Sequence, residues 1–251
     1  MIHFVGAGPG APDLITLRGA KLLSQAGMII YAGSLVNPEL LKNARPNCEI
    51  HNSASMTLDE VIEKMVSANE RGLDVVRLHT GDPSVYGAIR EQMDRLSALH
   101  IEFDVTPGVS SFCAAAAALE AEYTLPDVSQ TLIITRMEGR TPVPPKEKLQ
   151  LLAKHQASMA LFLSSGLMES TCAALLQGGY APETPAAVVY KASWPEQKIL
   201  RGTLADIAQQ AEKENIRNTA LILVGNFLGN RYSLSKLYDG AFSHGFRKAS
   251  K

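Results

Sequence analysis

A short run of β-branched and apolar residues, Val75-Val76-Arg77-Leu78-His79, leads into Thr80-Gly81-Asp82-Pro83. Bounded by Gly72 and Gly81, it reads as a strand buried in a sheet. Asp82 can cap free N–H groups and Pro83 suits a first helical position. The sequence therefore predicts a helix opening at Asp82-Pro83 and running through Ile89, Met93 and Leu96 to about Leu99. Strand, tight glycine turn and helix start form a ledge of exposed backbone at a sheet end, which is where open α/β folds hold ligands.

The segments before and after repeat this unit. Residues 2–5 and 28–31 read as strands, with a further short one near Glu49-Ile50-His51 and another over 101–105. Residues 14–26 read as a helix, with Leu14, Leu17, Leu22 and Leu23 on one face. Leu58, Val61, Ile62, Met65 and Val66 give a second helical stripe, and residues 112–119 a helix of small residues after Thr106-Pro107-Gly108-Val109-Ser110-Ser111. Five strands alternating with helices make a parallel or mostly parallel sheet.

Residues 122–127 break the pattern and mark a domain boundary. Five more strands are expected over 131–135, 158–163, 187–191, 198–201 and 220–225. The fold class is α/β, with domains over 1–122 and 127–243 and a basic tail over 244–251. Three prolines and a glycine between Arg136 and Pro145 make that stretch an exposed loop carrying Arg136 and Arg140.

Several functions are excluded or disfavoured. No run of about 18 apolar residues occurs, so no membrane helix is expected. The first strand begins at once and leaves no room for a signal peptide, so a cytoplasmic protein is expected. Cys48, Cys113 and Cys172 are far apart and odd in number, which gives neither a disulfide framework nor a metal spacing. A net charge of −1 argues against nucleic acid as partner. The charge is uneven, however: residues 1–125 carry 9 Lys/Arg against 15 Asp/Glu, and residues 126–251 carry 15 against 10. That balance permits an anionic substrate against the second half.

The loop Gly6-Ala7-Gly8-Pro9-Gly10-Ala11-Pro12 follows the first strand as a dinucleotide fingerprint would. Pro9 and Pro12 remove donors that a pyrophosphate requires, and Ala32-Gly33-Ser34 offers no acid for a ribose. No Gly-Lys-Ser/Thr follows, so no nucleotide P-loop is present.

Taken together, Val5-Gly6-Ala7-Gly8-Pro9-Gly10, Thr80-Gly81-Asp82-Pro83, residues 106–111 and Ala220-Leu221-Ile222-Leu223-Val224-Gly225 resemble, in order, the motifs of the tetrapyrrole methylases. Many relatives have Gly-Asp before the proline where this chain has Gly10-Ala11-Pro12. The resemblance implies two α/β domains with a ligand trough between them, usually in a homodimer. It implies S-adenosylmethionine as cofactor, S-adenosylhomocysteine as product and an anionic tetrapyrrole as substrate. Residues 129–142 resemble those of members that act at carbon 11 of precorrin-4 or cobalt-precorrin-4. Carried over by position, the cofactor would meet Pro9, Thr80, Gly81, Asp82, Val85, Ser110 and Ser111. It would also meet Leu163, Ala192, Thr219 and Ala220. Arg136 and Arg140, then Lys191 and Arg90, are candidates for substrate carboxylates, because a guanidinium fork matches a carboxylate. No metal and no catalytic acid, base or nucleophile is assigned. Sister activities on another precorrin, on RNA or on protein, and a non-catalytic tetrapyrrole-binding role, are the alternatives.

Overall fold

The computed structural model describes residues 1–249. The chain divides into two compact units, one of Met1–Ala115 with Lys191–Gln197, the other of residues 116–190 and 198 onward. The division falls before the pattern break at residues 122–127, and residues 191–197, which lie among the second domain's strands in sequence, belong with the first unit.

The first unit is a five-stranded sheet of β1 (Ile2–Gly6), β2 (Met28–Tyr31), β3 (Glu49–Asn52), β4 (Val75–His79) and β5 (Phe103–Thr106). All pairings are parallel, in the order β3-β2-β4-β1-β5. The central strands β1 and β4 are buried along their whole length. Their near-continuous apolar sequence follows, since a parallel sheet is covered on both faces.

Side chains alternate across the sheet. Val5, Ile29, Val76 and Leu78 pack with Leu23 of α1 (Leu17–Gln25). Ile2, Phe4, Ile30 and Val75 pack with Val61, Ile62 and Met65 of α2 (Leu58–Glu70) and Leu96 of α3 (Arg90–Ala98). A reciprocal cap between Thr57 and Glu60 starts α2. By alternation Arg77 and His79 fall on the α2–α3 face, and both are buried.

Two expectations need correction. Leu17 is 93% exposed at the first position of α1, where the buried stripe has not yet begun; Leu23 carries that face. The helix after the ledge starts at Arg90, not Asp82. Residues 83–86 form a turn, and Tyr86 (φ 57°) and Ala88 (φ 49°) take left-handed backbone that a right-handed helix does not contain.

α4 (Ser111–Leu119) runs across the division of the units. The second unit holds β6 (Leu132–Arg136), β7 (Ser158–Phe162), β8 (Pro185–Tyr190), β9 (Lys198–Thr203) and β10 (Ala220–Val224). They pair in the order β6-β7-β10-β8-β9. Only β6 and β7 are parallel; β10 runs antiparallel to both neighbours and β8 antiparallel to β9. Its core gathers Met159, Leu161, Val188 and Ile222 from the sheet. Against these lie Leu149 of α5 (Leu149–Leu152), Leu175 of α6 (Met168–Gln177) and Ile207 of α7 (Ile207–Lys213). The basic tail folds back on itself: His244 bridges to Arg247, whose guanidinium donates to the carbonyls of Leu237, Asp239 and Phe242. Its last two residues lie outside the described ones.

Candidate ligand site

Three loops leave the carboxyl ends of β1, β4 and β5, and glycine lets them touch backbone to backbone. A Cβ on Gly6 would lie 2.6 Å from the Gly108 nitrogen and 2.7 Å from the Gly81 carbonyl oxygen. A Cβ on Gly108 would overlap that same Gly81 carbonyl. The Gly8 N–H donates to the Gly81 carbonyl (3.3 Å) and the Gly81 N–H to the Gly8 carbonyl (2.8 Å), with Gly81 at φ 61°.

Asp82 braces this cluster. Its Oδ1 accepts the Ser84 N–H (2.8 Å) and the Ser84 hydroxyl, and its Oδ2 accepts the Gly108 N–H (2.9 Å). Burial pushes its pKa up, but the Ser84 hydroxyl and the Gly108 and Ser84 amides outweigh that and hold it below the usual value. An ionised carboxylate thus sits at the mouth of three strand ends. Thr80 is exposed beside it, Val85 is half-buried, and Ser110 is buried where α4 begins.

The glycine-rich loop is fastened from outside by residues that sequence reasoning missed. Trp194 donates its indole N–H to the Pro9 carbonyl (3.0 Å), and Ser193 Oγ accepts the Ala11 N–H (3.0 Å). Asn37 donates to the Gly10 carbonyl (2.8 Å). A Cβ on Gly10 would overlap the Trp194 indole, so the ring needs glycine there. Ala192, in the same segment, is buried. With the Ala7, Gly8 and Ala11 N–H groups all donating to protein acceptors, this loop has few donors for a phosphate. The single tryptophan was the one available signal, and nothing in the sequence tied it to a loop so far away.

The remaining candidates lie on the second unit. Leu163 follows β7, and Thr219 precedes β10, whose Ala220 pairs with Tyr190 at the end of β8. Leu163 and Thr219 both have φ 51°, and Leu163 is 68% exposed. A non-glycine residue in left-handed backbone is strained, and such strain gathers at binding sites.

The four basic candidates differ in freedom. Arg136 ends β6 and donates to the carbonyls of Met137 (3.3 Å), Thr141 (3.2 Å) and Pro142 (2.6 Å), so it braces its own loop. Arg140 is exposed and makes no hydrogen bond or ion pair among the described residues. Arg90 pairs with Asp94 (2.8 Å) on the surface of α3. Lys191 lies over the Trp194 ring and 3.5 Å from Glu196.

None of the three thiols is activated by its surroundings among the described residues. Burial raises the Cys48 and Cys113 thiols, with the Asp82 charge adding to the latter, and lifts Cys172 to about 11. Among the described residues no group of three or more His, Cys, Asp or Glu could hold a metal, and no helix is long and apolar enough to cross a membrane.

A glycine-packed ledge over a parallel sheet, joined in one chain to a mixed-sheet unit, defines a class. Residues 1–208 match the family model of the Tetrapyrrole (Corrin/Porphyrin) Methylases, and the chain belongs to that family. Among its relatives, a cobalt-precorrin-4 C(11)-methyltransferase from Methanocaldococcus jannaschii is 57% identical, over 100% of this chain and 97% of the relative. A precorrin-4 C(11)-methyltransferase from Mycobacterium tuberculosis is 46% identical over 96% of both. The X-ray structure of a cobalt precorrin-4 methyltransferase superposes with a TM-score of 0.89 at 48% identity, covering 91% of this chain and 96% of that one. A uroporphyrin-III C-methyltransferase from Thermus thermophilus, complexed with S-adenosyl homocysteine, shares the fold at 24% identity and a TM-score of 0.75, over 90% and 92%.

Proposed function

We propose that the chain transfers a methyl group from S-adenosylmethionine to carbon 11 of cobalt-precorrin-4 or its metal-free counterpart. The observation that carries this reading is 57% identity along the whole chain to a relative of that activity. The ledge is compatible with the cofactor. S-adenosylmethionine carries no phosphate and asks for no free amide cradle, and its cationic groups suit an ionised Asp82.

When bound, the sulfonium supplies an already activated methyl group. What remains for the protein is alignment, which in well-oriented systems lowers a barrier by about 7–11 kcal/mol. Thr80, Gly81, Asp82, Val85, Ser110, Ser111, Pro9 and Ala192 are the cofactor candidates on the first unit. Leu163, Thr219 and Ala220 are those on the second. Arg140 takes first place among the substrate candidates because its guanidinium is uncommitted. Arg136 acts by holding the loop that presents it. Lys191 and Arg90 follow, each with an acidic neighbour already in place.

Incubation with S-adenosylmethionine and matched cobalt-loaded and metal-free precorrin-4 under nitrogen tests the reading by mass spectrometry. A gain of one methyl at carbon 11 supports it, and the faster substrate identifies the natural one. Binding of the tetrapyrrole without mass gain would overturn it in favour of a carrier.

A further inference from the structure

Arg77 lies buried in β4 with no carboxylate paired to it among the described residues. Its Nε–H donates to Gln92 Oε1 (3.1 Å) and an Nη–H to the Ile30 carbonyl (3.2 Å). Gln92 is buried on α3, and its Nε2–H donates to the Ala88 carbonyl (3.0 Å).

Ala88 ends the strained stretch after the ledge. Tyr86 and Ala88 both have left-handed backbone, and between them Gly87 lies so close to Pro83 that a Cβ would overlap the Pro83 carbonyl. Left-handed backbone disfavours non-glycine residues and persists only where the surroundings hold it. At the end of this stretch the Ala88 carbonyl is held by the Gln92 amide. Glutamine suits the place because one side-chain end both accepts and donates. Arginine has only donors and must find an acceptor; a carbonyl must find a donor.

We propose that Gln92, oriented by Arg77, is a positioning residue that fixes residues 82–88 and so sets Asp82 and Val85 for S-adenosylmethionine. This rests on reading those residues as the cofactor ledge.

Gln92→Glu separates positioning from plain stability. A carboxylate gives buried Arg77 a charged partner, yet it has no donor for the Ala88 carbonyl. Gln92→Leu satisfies neither. The measurements are hydrogen exchange of the 84–88 amides without cofactor, thermal midpoints, and calorimetric affinity for S-adenosylmethionine. Gln92→Glu should melt no lower than the parent, exchange faster at 84–88 and bind S-adenosylmethionine about 3- to 10-fold more weakly, the effect of one lost hydrogen bond. Gln92→Leu should also melt earlier. Parental exchange in Gln92→Glu overturns the proposal. So does faster exchange with parental affinity where Asp82→Ala has lost binding. If exchange is faster but neither Gln92→Glu nor Asp82→Ala loses affinity, the relay stands and the cofactor reading of the ledge falls instead.

Discussion

His79 shows how a single side chain reports its surroundings. It lies 4% exposed on β4 near Phe4, with no hydrogen-bond partner for its Nε2 among the described residues, and burial, then the charge of Arg77, pushes its pKa down to about 3. The unfolded chain protonates this histidine near its ordinary value of 6.5, and the folded chain does not. The contribution of His79 to stability is therefore fully present above that value and is lost as pH falls towards about 3, by up to about 1.4 kcal/mol per pH unit. His79→Phe keeps an aromatic ring and removes the titration. Urea midpoints of this variant should fall less steeply than the parent's between about pH 6 and pH 4; parallel curves would show that His79 is not the group responsible. Arg140 is the opposite case, an exposed fork with no partner among the described residues. If it meets a substrate carboxylate, Arg140→Ala should lower kcat/KM by about 10- to 150-fold, the equivalent of roughly 1.5–3 kcal/mol. S-adenosylmethionine affinity should not change, and Arg140→Lys should recover only part of the loss. Unaltered kcat/KM in Arg140→Ala would return it to the ordinary solvated surface. The sequence named Arg136 and Arg140 together; only the hydrogen bonds of Arg136 tell them apart.

At the scale of elements, glycines at the strand ends do the joining. Gly81 would meet nothing nearer than 3.6 Å with a Cβ, so a substitution there is resisted by its φ of 61° and not by crowding. Gly108 is the crowded position, since its Cβ would overlap the Gly81 carbonyl. Gly108→Ala should therefore separate the β4 and β5 loops, weaken the Gly108 N–H bond to Asp82 and abolish S-adenosylmethionine binding at the ledge. Thermal denaturation should also show a loss of about 1–3 kcal/mol, the usual range for overpacking. Normal binding by Gly108→Ala would mean that the loops can part without disturbing the site. Most strands named above were legible because they are compact apolar runs between turn residues, as in β1, β4 and β10; the half-exposed β3 and β9 mix apolar and polar residues instead. Sheet order was not, because pairing is decided by packing between distant segments; nothing local makes β10 antiparallel to both its neighbours. The start of α3 was misread for a local reason. Asp82 and Pro83 carry a helix-opening pattern, but Asp82 uses both oxygens on Ser84 and Gly108, and the chain then turns left-handed before Arg90.

At the scale of the whole molecule, the chain visits the first unit twice. β8 and β9 pair within the second unit, while the residues between them, Lys191–Gln197, belong with Met1–Ala115. A sequence read in order assigns that segment to the second domain, and only long-range contacts reveal otherwise. The return matters because it carries Trp194 and Ser193 to the glycine-rich loop, supplying hydrogen bonds to Pro9 and Ala11 that residues 1–115 do not provide themselves. The first unit should therefore depend on Trp194 for its stability. Trp194→Phe keeps a ring against Gly10 and loses the N–H bond, for a net cost of about 0.5–1.5 kcal/mol. Trp194→Ala also empties the space the indole fills, and a large-to-small change of that kind costs about 3–5 kcal/mol when fully packed. This ring is only partly buried, so the loss should fall towards the lower end. Gly10→Ala attacks the same contact from the other side. Its effect and that of Trp194→Ala should be strongly non-additive in a double-mutant cycle, because either change alone breaks the packing. Denaturant unfolding of the four proteins, followed by circular dichroism so that loss of the only tryptophan does not remove the signal, measures the coupling. Additive losses would show that Trp194 and Gly10 act independently and that the returning segment is not what holds the loop.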